Sequence, residues 1–237
     1  MSTKRWIFDK DPAFPENFEP HKVSKCALEL IDVGPVDELF DDDPDRLVHC
    51  ILRVMLDPAL ITESTYAPTN TYSLVLDVTK ENSDPPAENA RSLPVEMVIK
   101  ACTYMGQHRH AMRVIDLPVN GNKTVGDFFH TLNTPGLNTC EFIRENGLQI
   151  GCRDFMSQVI RLLIDASFLA IPEGSQSALF KSFNSIPTDT MVDKQSPVTQ
   201  AVFATSFDKL LPLRNSSYSG DFDPRYHIPI GIEIFSS

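Results

Sequence analysis

The chain has 237 residues, of which 42% are hydrophobic and 22% are charged, so it can bury one sizeable core and is too apolar for wholesale disorder. Its formal net charge of −11 repels phosphate backbones and disfavours nucleic-acid binding. No apolar run approaches the length of a membrane span, and the stretch MSTKRWIFDKDPAF lacks the apolar core of a signal peptide, which together predict a soluble cytoplasmic protein.

The first half of the chain has the pattern of a meander of β-strands. Proline and aromatic residues in the first 21 positions predict an irregular arm. Runs of alternating apolar and β-branched residues then predict five strands. They lie at about 22–33, 46–56, 71–80, 93–105 and 110–119.

The second half changes to helical spacing. A short helix over 123–132 opens with a predicted capping box made by Thr124 and Asp127. An extended segment over 138–150 follows. Apolar side chains then recur at helical spacing over 153–170, which predicts a long helix.

These patterns predict an α+β fold in which an antiparallel β-sheet packs against one long helix and shorter helices. We expect an N-terminal arm over 1–21, a core domain over 22–171 and a C-terminal extension over 172–237 that packs on the core. Within the extension the pattern predicts a helix over 197–211 and an edge strand over 226–235.

Cys152 is the residue with the clearest chemical potential. The five cysteines are odd in number and widely spaced without a CxxC pair, so neither a disulfide framework nor a zinc site is predicted. Cys152 follows Gly151 and opens the long helix, where unpaired N–H groups and the helix dipole favour a thiolate. The alternative is a small buried residue that fills space on the apolar face of the helix.

A nucleophilic thiol also needs a base, and three histidines are candidates. His108 and His110 share one face of a predicted strand, and His227 opens the last predicted strand. Dyad partners meet in the fold and not in the chain, so the sequence does not pair any of them with Cys152. Two histidines on one face lack a third metal ligand, so no metal and no cofactor are predicted.

The order of several segments resembles a known family. They are KVSKCALELIDV, TNTYSLVLDV, MRVIDLPV, TVGDFFHTL, CEFI and GCRDFMSQVIRLLIDASFLA. In this order they resemble an uncharacterised family of fungal domains of unknown function, over about residues 22–171. That family's layout is similar to the circularly permuted papain-like fold of lecithin retinol acyltransferases and related cell-wall peptidases. The resemblance implies that Cys152 attacks an acyl carbon, with a histidine as base and a third polar group orienting the imidazole.

The histidine of that resemblance is missing at its expected place. Where the family has NHWS at a strand start, this chain has NTYS at 70–73, which puts Thr71 at the histidine position. A hydroxyl is far too weak a base to take the thiol proton at neutral pH. The implied pocket beside Cys152 consists of Gly151, Asn70, Thr71 and Tyr72.

Three functions follow from these observations. The missing base favours a non-catalytic or repurposed domain that binds a small molecule or a protein partner. The first alternative is a cysteine-dependent acyltransferase or amide hydrolase that uses Cys152 with a relocated histidine. The second is an accessory protein of fungal secondary metabolism. An imidazole nitrogen within hydrogen-bond reach of the Cys152 sulfur would favour the enzyme.

Overall fold

A computed structural model shows the fold of part of the chain. The described residues are 5–7, 18–32, 48–57, 71–80, 92–102, 104, 106–134, 137, 140–145, 148–182, 185–186 and 194–195. The helix predicted over 197–211 and the strand predicted over 226–235 lie outside them. The predicted division into arm, core and extension stays a prediction.

Ten strands and three helices occur within the described residues. The strands are β1 (Arg5–Ile7), β2 (Val23–Asp32), β3 (Val48–Leu56), β4 (Ser73–Lys80), β5 (Ser92–Cys102), β6 (Ala111–Pro118), β7 (Glu141–Glu145), β8 (Leu148–Ile150), β9 (Ser185–Ile186) and β10 (Lys194–Gln195). The helices are α1 (Val125–Leu132), α2 (Cys152–Asp165) and α3 (Glu173–Ser182).

Eight of these strands form one antiparallel sheet. Its order is β6-β2-β3-β4-β5-β7-β8, and β1 also pairs with β5. β9 and β10 form a separate two-stranded pair. The predicted α+β class with an antiparallel sheet is therefore confirmed, and the five strands predicted in the first half correspond to β2 to β6.

The two faces of the sheet have different neighbours. Because strand side chains alternate between faces, the opposed pair Leu28 and Leu52 faces one side, and Glu29 and Arg53 face the other. The first side, here called the helix face, shares one buried apolar cluster with α1 and α2. The second side, here called the far face, carries a smaller apolar cluster and most of the charged side chains of the central strands. The site described below joins the two faces.

α1 begins as its sequence predicts. The Thr124 hydroxyl accepts a hydrogen bond from the Asp127 N–H at 3.2 Å, and the Asp127 carboxylate accepts one from the Thr124 N–H at 2.8 Å. This reciprocal pair is the predicted capping box, and it satisfies two N–H groups at the start of the helix. The buried residues Val125, Phe128 and Leu132 then form the apolar side of α1.

α2 is shorter than its apolar spacing predicts. The helix ends at Asp165 and not at Ala170, because the chain reverses at Ser167, which has a φ of 53°. The N–H groups of Phe168 and Leu169 both donate to the carbonyl of Leu163, which closes the helix end. Phe168 thereby turns back into the core, so an apolar residue at helical spacing is buried without being helical.

Two further elements were not expected from the pattern. β1 lies within the segment predicted to be an irregular arm, and it pairs with β5 over three residues. α3 lies in the predicted C-terminal extension, where the helix was expected only over 197–211. Both are short, and their apolar periodicity is weak, so pairing and packing against the core determine them more than local pattern does.

Candidate active site

α2 presents Cys152 at an opening between β3 and β4. The pairing of these two strands runs from Leu52 opposite Leu76 to Met55 opposite Ser73. Residues 48–51 of β3 therefore have no pairing partner in β4. The Cys152 sulfur lies there, 3.5 Å from the carbonyl oxygen of Val48. The first turn of α2 therefore meets the stretch of β3 that pairs with β2 and not with β4.

Gly151 gives this helix its start. It is the N-cap residue with a φ of 142°, a region in which a side chain would be strained. Glycine has no side chain to cap the first-turn N–H groups, and no side-chain cap is made. The Cys152 thiol thus lies at the positive end of the α2 dipole, which favours its ionised form.

His49 is the imidazole that the fold brings to this sulfur. It follows Val48 on β3 and forms a hydrogen bond with the Cys152 side chain. Its Nε2 is 2.7 Å from Oδ1 of Asp77, which lies on β4. Since Nε2 is engaged by the carboxylate, Nδ1 is the ring nitrogen that can serve the thiol. Cysteine, histidine and aspartate thus form one connected chain.

Asp77 is held from two sides. Its Oδ2 accepts from the ammonium of Lys100 on β5, while Oδ1 contacts His49. Burial raises the pKa of Asp77, but hydrogen bonds and charge from His49 and then Lys100 outweigh burial and lower the pKa to about 2. The carboxylate is therefore an anion, and acts only as an acceptor, across the physiological range.

Electrostatics within the dyad favour an ion pair. Burial lowers the pKa of His49, but hydrogen bonds and charge from Asp77 and Cys152 outweigh it and raise the pKa to about 10. Burial raises the pKa of the Cys152 thiol, but the hydrogen bond and charge of His49 lower it below its ordinary value. The charge of Arg153 and the Cys50 N–H add to this lowering. Both shifts favour a thiolate that faces an imidazolium.

The neighbouring cysteine behaves in the opposite way. Cys50 is fully buried on the helix face of β3, and burial raises the pKa of its thiol well above the ordinary value. The nearby charge of Cys152 raises it further. Cys50 therefore stays a neutral thiol, and of the two neighbouring cysteines only Cys152 is activated.

The residues of the expected pocket do not all meet at Cys152. Thr71 is buried, and the next residue, Tyr72, bonds through its carbonyl to the N–H of Leu56 at the far end of β3. Eight residues of strand separate that end from Val48, which is roughly 25 Å. Thr71 and Tyr72 are therefore not brought to the sulfur, whereas Gly151 adjoins it. Asn70 lies outside the described residues.

The candidate bases of the sequence lie elsewhere or outside the described residues. The His108 N–H donates to Glu29 Oε2 at 2.9 Å on the far face, and the exposed His110 lies beside it. The structure does not bring either imidazole to Cys152. His227 lies outside the described residues. Among the residues that the structure does describe, no group of three or more His, Cys, Asp or Glu could hold a metal ion.

His49 and Asp77 are functional candidates that sequence reasoning did not single out. Each is a titratable residue whose two sequence neighbours are apolar, in RLVHCILRVML and in SLVLDVTK. That interruption was the available signal. The pairing of the two strands was needed to show that both side chains lie on the same face and within contact.

The fold and this site define a class: an α+β protein in which a helix-terminal cysteine, a strand histidine and a strand aspartate contact one another in that order. The chain matches the model of a family described as a domain of unknown function (DUF7770) over residues 64–200, and it belongs to that family. This confirms the expected membership of an uncharacterised domain family. The matched stretch contains Asp77 and Cys152, and His49 precedes it. Searches of curated proteins and of solved structures gave no match.

In the part of the chain that the structure describes, no helix has the length and apolar character needed to cross a bilayer. The longest helix there is α2, with 14 residues, and it carries charged and polar side chains along its length.

Proposed function

We propose that the protein is a cysteine-dependent acyltransferase or amide hydrolase. Cys152 is its nucleophile, His49 its general base and acid, and Asp77 the residue that orients the imidazole. The observation that carries the proposal is the continuous contact from the Cys152 thiol through His49 to Asp77, with Nε2 2.7 Å from the carboxylate. A nucleophile, a base within reach and a third group behind the base are the requirements of covalent acyl transfer.

The reaction has two halves. The Cys152 thiolate attacks the acyl carbon of an ester or amide and forms a tetrahedral adduct. The adduct expels the leaving group, which takes a proton from the His49 imidazolium, and a thioester remains on Cys152. Water or an acceptor alcohol or amine then gives a proton to His49 and attacks the thioester, the C–S bond breaks, and the acyl product leaves the Cys152 thiolate and the His49 imidazolium as they began. The N–H groups at the start of α2 lie where negative charge develops on the acyl oxygen.

The chain order of the parts supports the permuted papain-like architecture that the segment order implies. In that architecture a histidine strand precedes a cysteine helix, and here His49 on β3 precedes Cys152 on α2. The proposal therefore places the base about one strand earlier than the NTYS segment. It extends to the fungal family that the segments resemble and to a cytoplasmic setting, where a reduced thiol is stable.

The second candidate is a binding domain that has lost the reaction. The observation that favours it is the partial burial of Cys152, which packs against the main apolar cluster. A thiol held in this way could form the wall of a pocket for a small molecule or a peptide of a partner. The two candidates differ in whether an acyl group is transferred to the sulfur.

Acyl trapping decides between them. We expect p-nitrophenyl acetate to acetylate Cys152 and release p-nitrophenolate in a burst of one equivalent, because the thiolate attacks and the phenolate leaves readily. Intact-mass and peptide mass spectrometry would locate the adduct. Cys152→Ser should abolish the burst, and Cys140→Ser, at a buried cysteine, should keep it. An unmodified Cys152 with no burst would leave the binding domain as the better account.

A further inference from the structure

We propose that Lys100 is a positioning residue of this site: it holds Asp77 against Nε2 of His49, so that whenever the imidazole is neutral its proton lies on Nε2 and Nδ1 is the proton acceptor. The inference rests on the proposed function, since it takes His49 to be the base. Lys100 touches neither the thiol nor a substrate in this role, and it acts through Asp77.

The geometry places three side chains in a row across adjacent strands. His49 on β3, Asp77 on β4 and Lys100 on β5 occupy the far face of the sheet, since Lys100 is opposite Val75, two residues from Asp77. Each oxygen of Asp77 has its own partner: Oδ1 contacts the imidazole at 2.7 Å, and Oδ2 contacts the ammonium. The side chain of Asp77 is 8% exposed and that of Lys100 is 34% exposed.

This arrangement fixes where the imidazole proton lies. The ionised carboxylate accepts from the ring N–H only while one of its oxygens faces the ring. The Lys100 ammonium on Oδ2 holds the carboxylate with Oδ1 towards Nε2. Without that partner the carboxylate can turn, Nε2–H loses its acceptor, and the proton of the neutral ring can occupy either nitrogen.

Other charged groups near the row do not substitute for Lys100. Glu29 and Arg53 on the same face form their own ion pair. Arg153, at the start of α2, acts on the charge of Cys152. Glu96 on β5 is buried and carries a carboxyl group, so it cannot supply the positive charge that Asp77 meets in Lys100.

The test reads the tautomer of His49 directly. In a Cys152→Ala background, with ¹⁵N-labelled histidine and at a pH where His49 is neutral, the ring nitrogen shifts report which nitrogen carries the proton. We expect the Nε2–H tautomer to dominate. Lys100→Met should give a mixed population of the two tautomers, and Lys100→Arg, which keeps the charge, should restore the Nε2–H form. Lys25→Met, at an exposed lysine paired with Asp116, is the matched control and should change nothing.

The outcomes separate this inference from the proposed function. An unchanged tautomer in Lys100→Met overturns the role of Lys100, whatever the acyl-trapping result. A mixed tautomer together with no acetyl adduct on unaltered Cys152 supports the positioning role and rejects the enzyme. If Lys100→Met does not fold, Lys100→Gln keeps a polar side chain and removes the charge. The same mixed population is then expected, and its absence overturns the inference.

Discussion

Replacing His49 with glutamine is expected to slow the alkylation of Cys152 by iodoacetamide at mildly acidic pH roughly 10- to 50-fold. Without the imidazolium, the thiol loses the hydrogen bond and the charge that lower its pKa. A thiol with the ordinary pKa of about 8.5 is less than roughly 1% ionised at a pH of about 6, so a return towards that pKa leaves little thiolate. Part of that loss is offset, because the rate constant of the thiolate itself rises with the pKa of its thiol.

The measurement is the rate of carbamidomethylation of the Cys152 peptide by mass spectrometry across a pH series. His110→Gln is the matched control, since His110 is exposed and has no contact with the sulfur in the structure. His108→Gln extends the control to the other candidate base of the sequence. Equal rates in unaltered protein and His49→Gln, or a comparable drop in His108→Gln, would show that His49 does not activate the thiol.

Replacing Arg53 with methionine is expected to lower the free energy of unfolding by about 3–5 kcal/mol. Arg53 and Glu29 are both 0% exposed at the side chain, and the guanidinium contacts both carboxylate oxygens, at 2.5 and 3.2 Å. Arg53 also donates to the Ser73 hydroxyl and lies 5.1 Å from the centre of the Tyr104 ring. Methionine would leave the Glu29 carboxylate buried without its cation, which is the costly state.

The double replacement of Glu29 by leucine and Arg53 by methionine is the matched control. Because both charged groups are removed, no buried charge is left without a partner in the double variant. We therefore expect most of the lost free energy of unfolding to return. Urea denaturation followed by circular dichroism measures both variants. An Arg53→Met protein that loses less than about 1 kcal/mol would mean that the Glu29 carboxylate does not depend on Arg53 as its partner.

Local pattern was sufficient for the elements that carry strong periodicity. The alternation in β2 to β6 and the capping box of α1 were read directly from the sequence, because burial on one or two faces leaves a repeat in the residues themselves. The end of α2 could not be predicted in this way. Phe168 and Leu169 are apolar because the chain turns back and buries them in the core, and not because they continue the helix.

The site could be predicted only in part, for a similar reason. Cys152 could be predicted as a candidate from a local feature, since it is a cysteine that follows a glycine at the start of a helix. Its partners are defined by strand order and register, which place His49 and Asp77 side by side although 28 residues separate them. The resemblance put the base at Thr71, and the register puts that residue at the opposite end of β3. A titratable residue between apolar neighbours in a strand is the sequence signal that could have pointed to the partners.

The central claim is that Cys152 and His49 form a thiolate–imidazolium pair. Titration of His49 by ¹⁵N NMR, in the full chain and in Cys152→Ala, measures it most directly. We predict that the His49 ring keeps both protons well above the ordinary imidazole pKa of about 6.5. It should titrate towards a pKa of about 10, and its midpoint should fall when the sulfur is removed. A midpoint at the ordinary imidazole value in the unaltered protein, unmoved by Cys152→Ala, would contradict the ion pair.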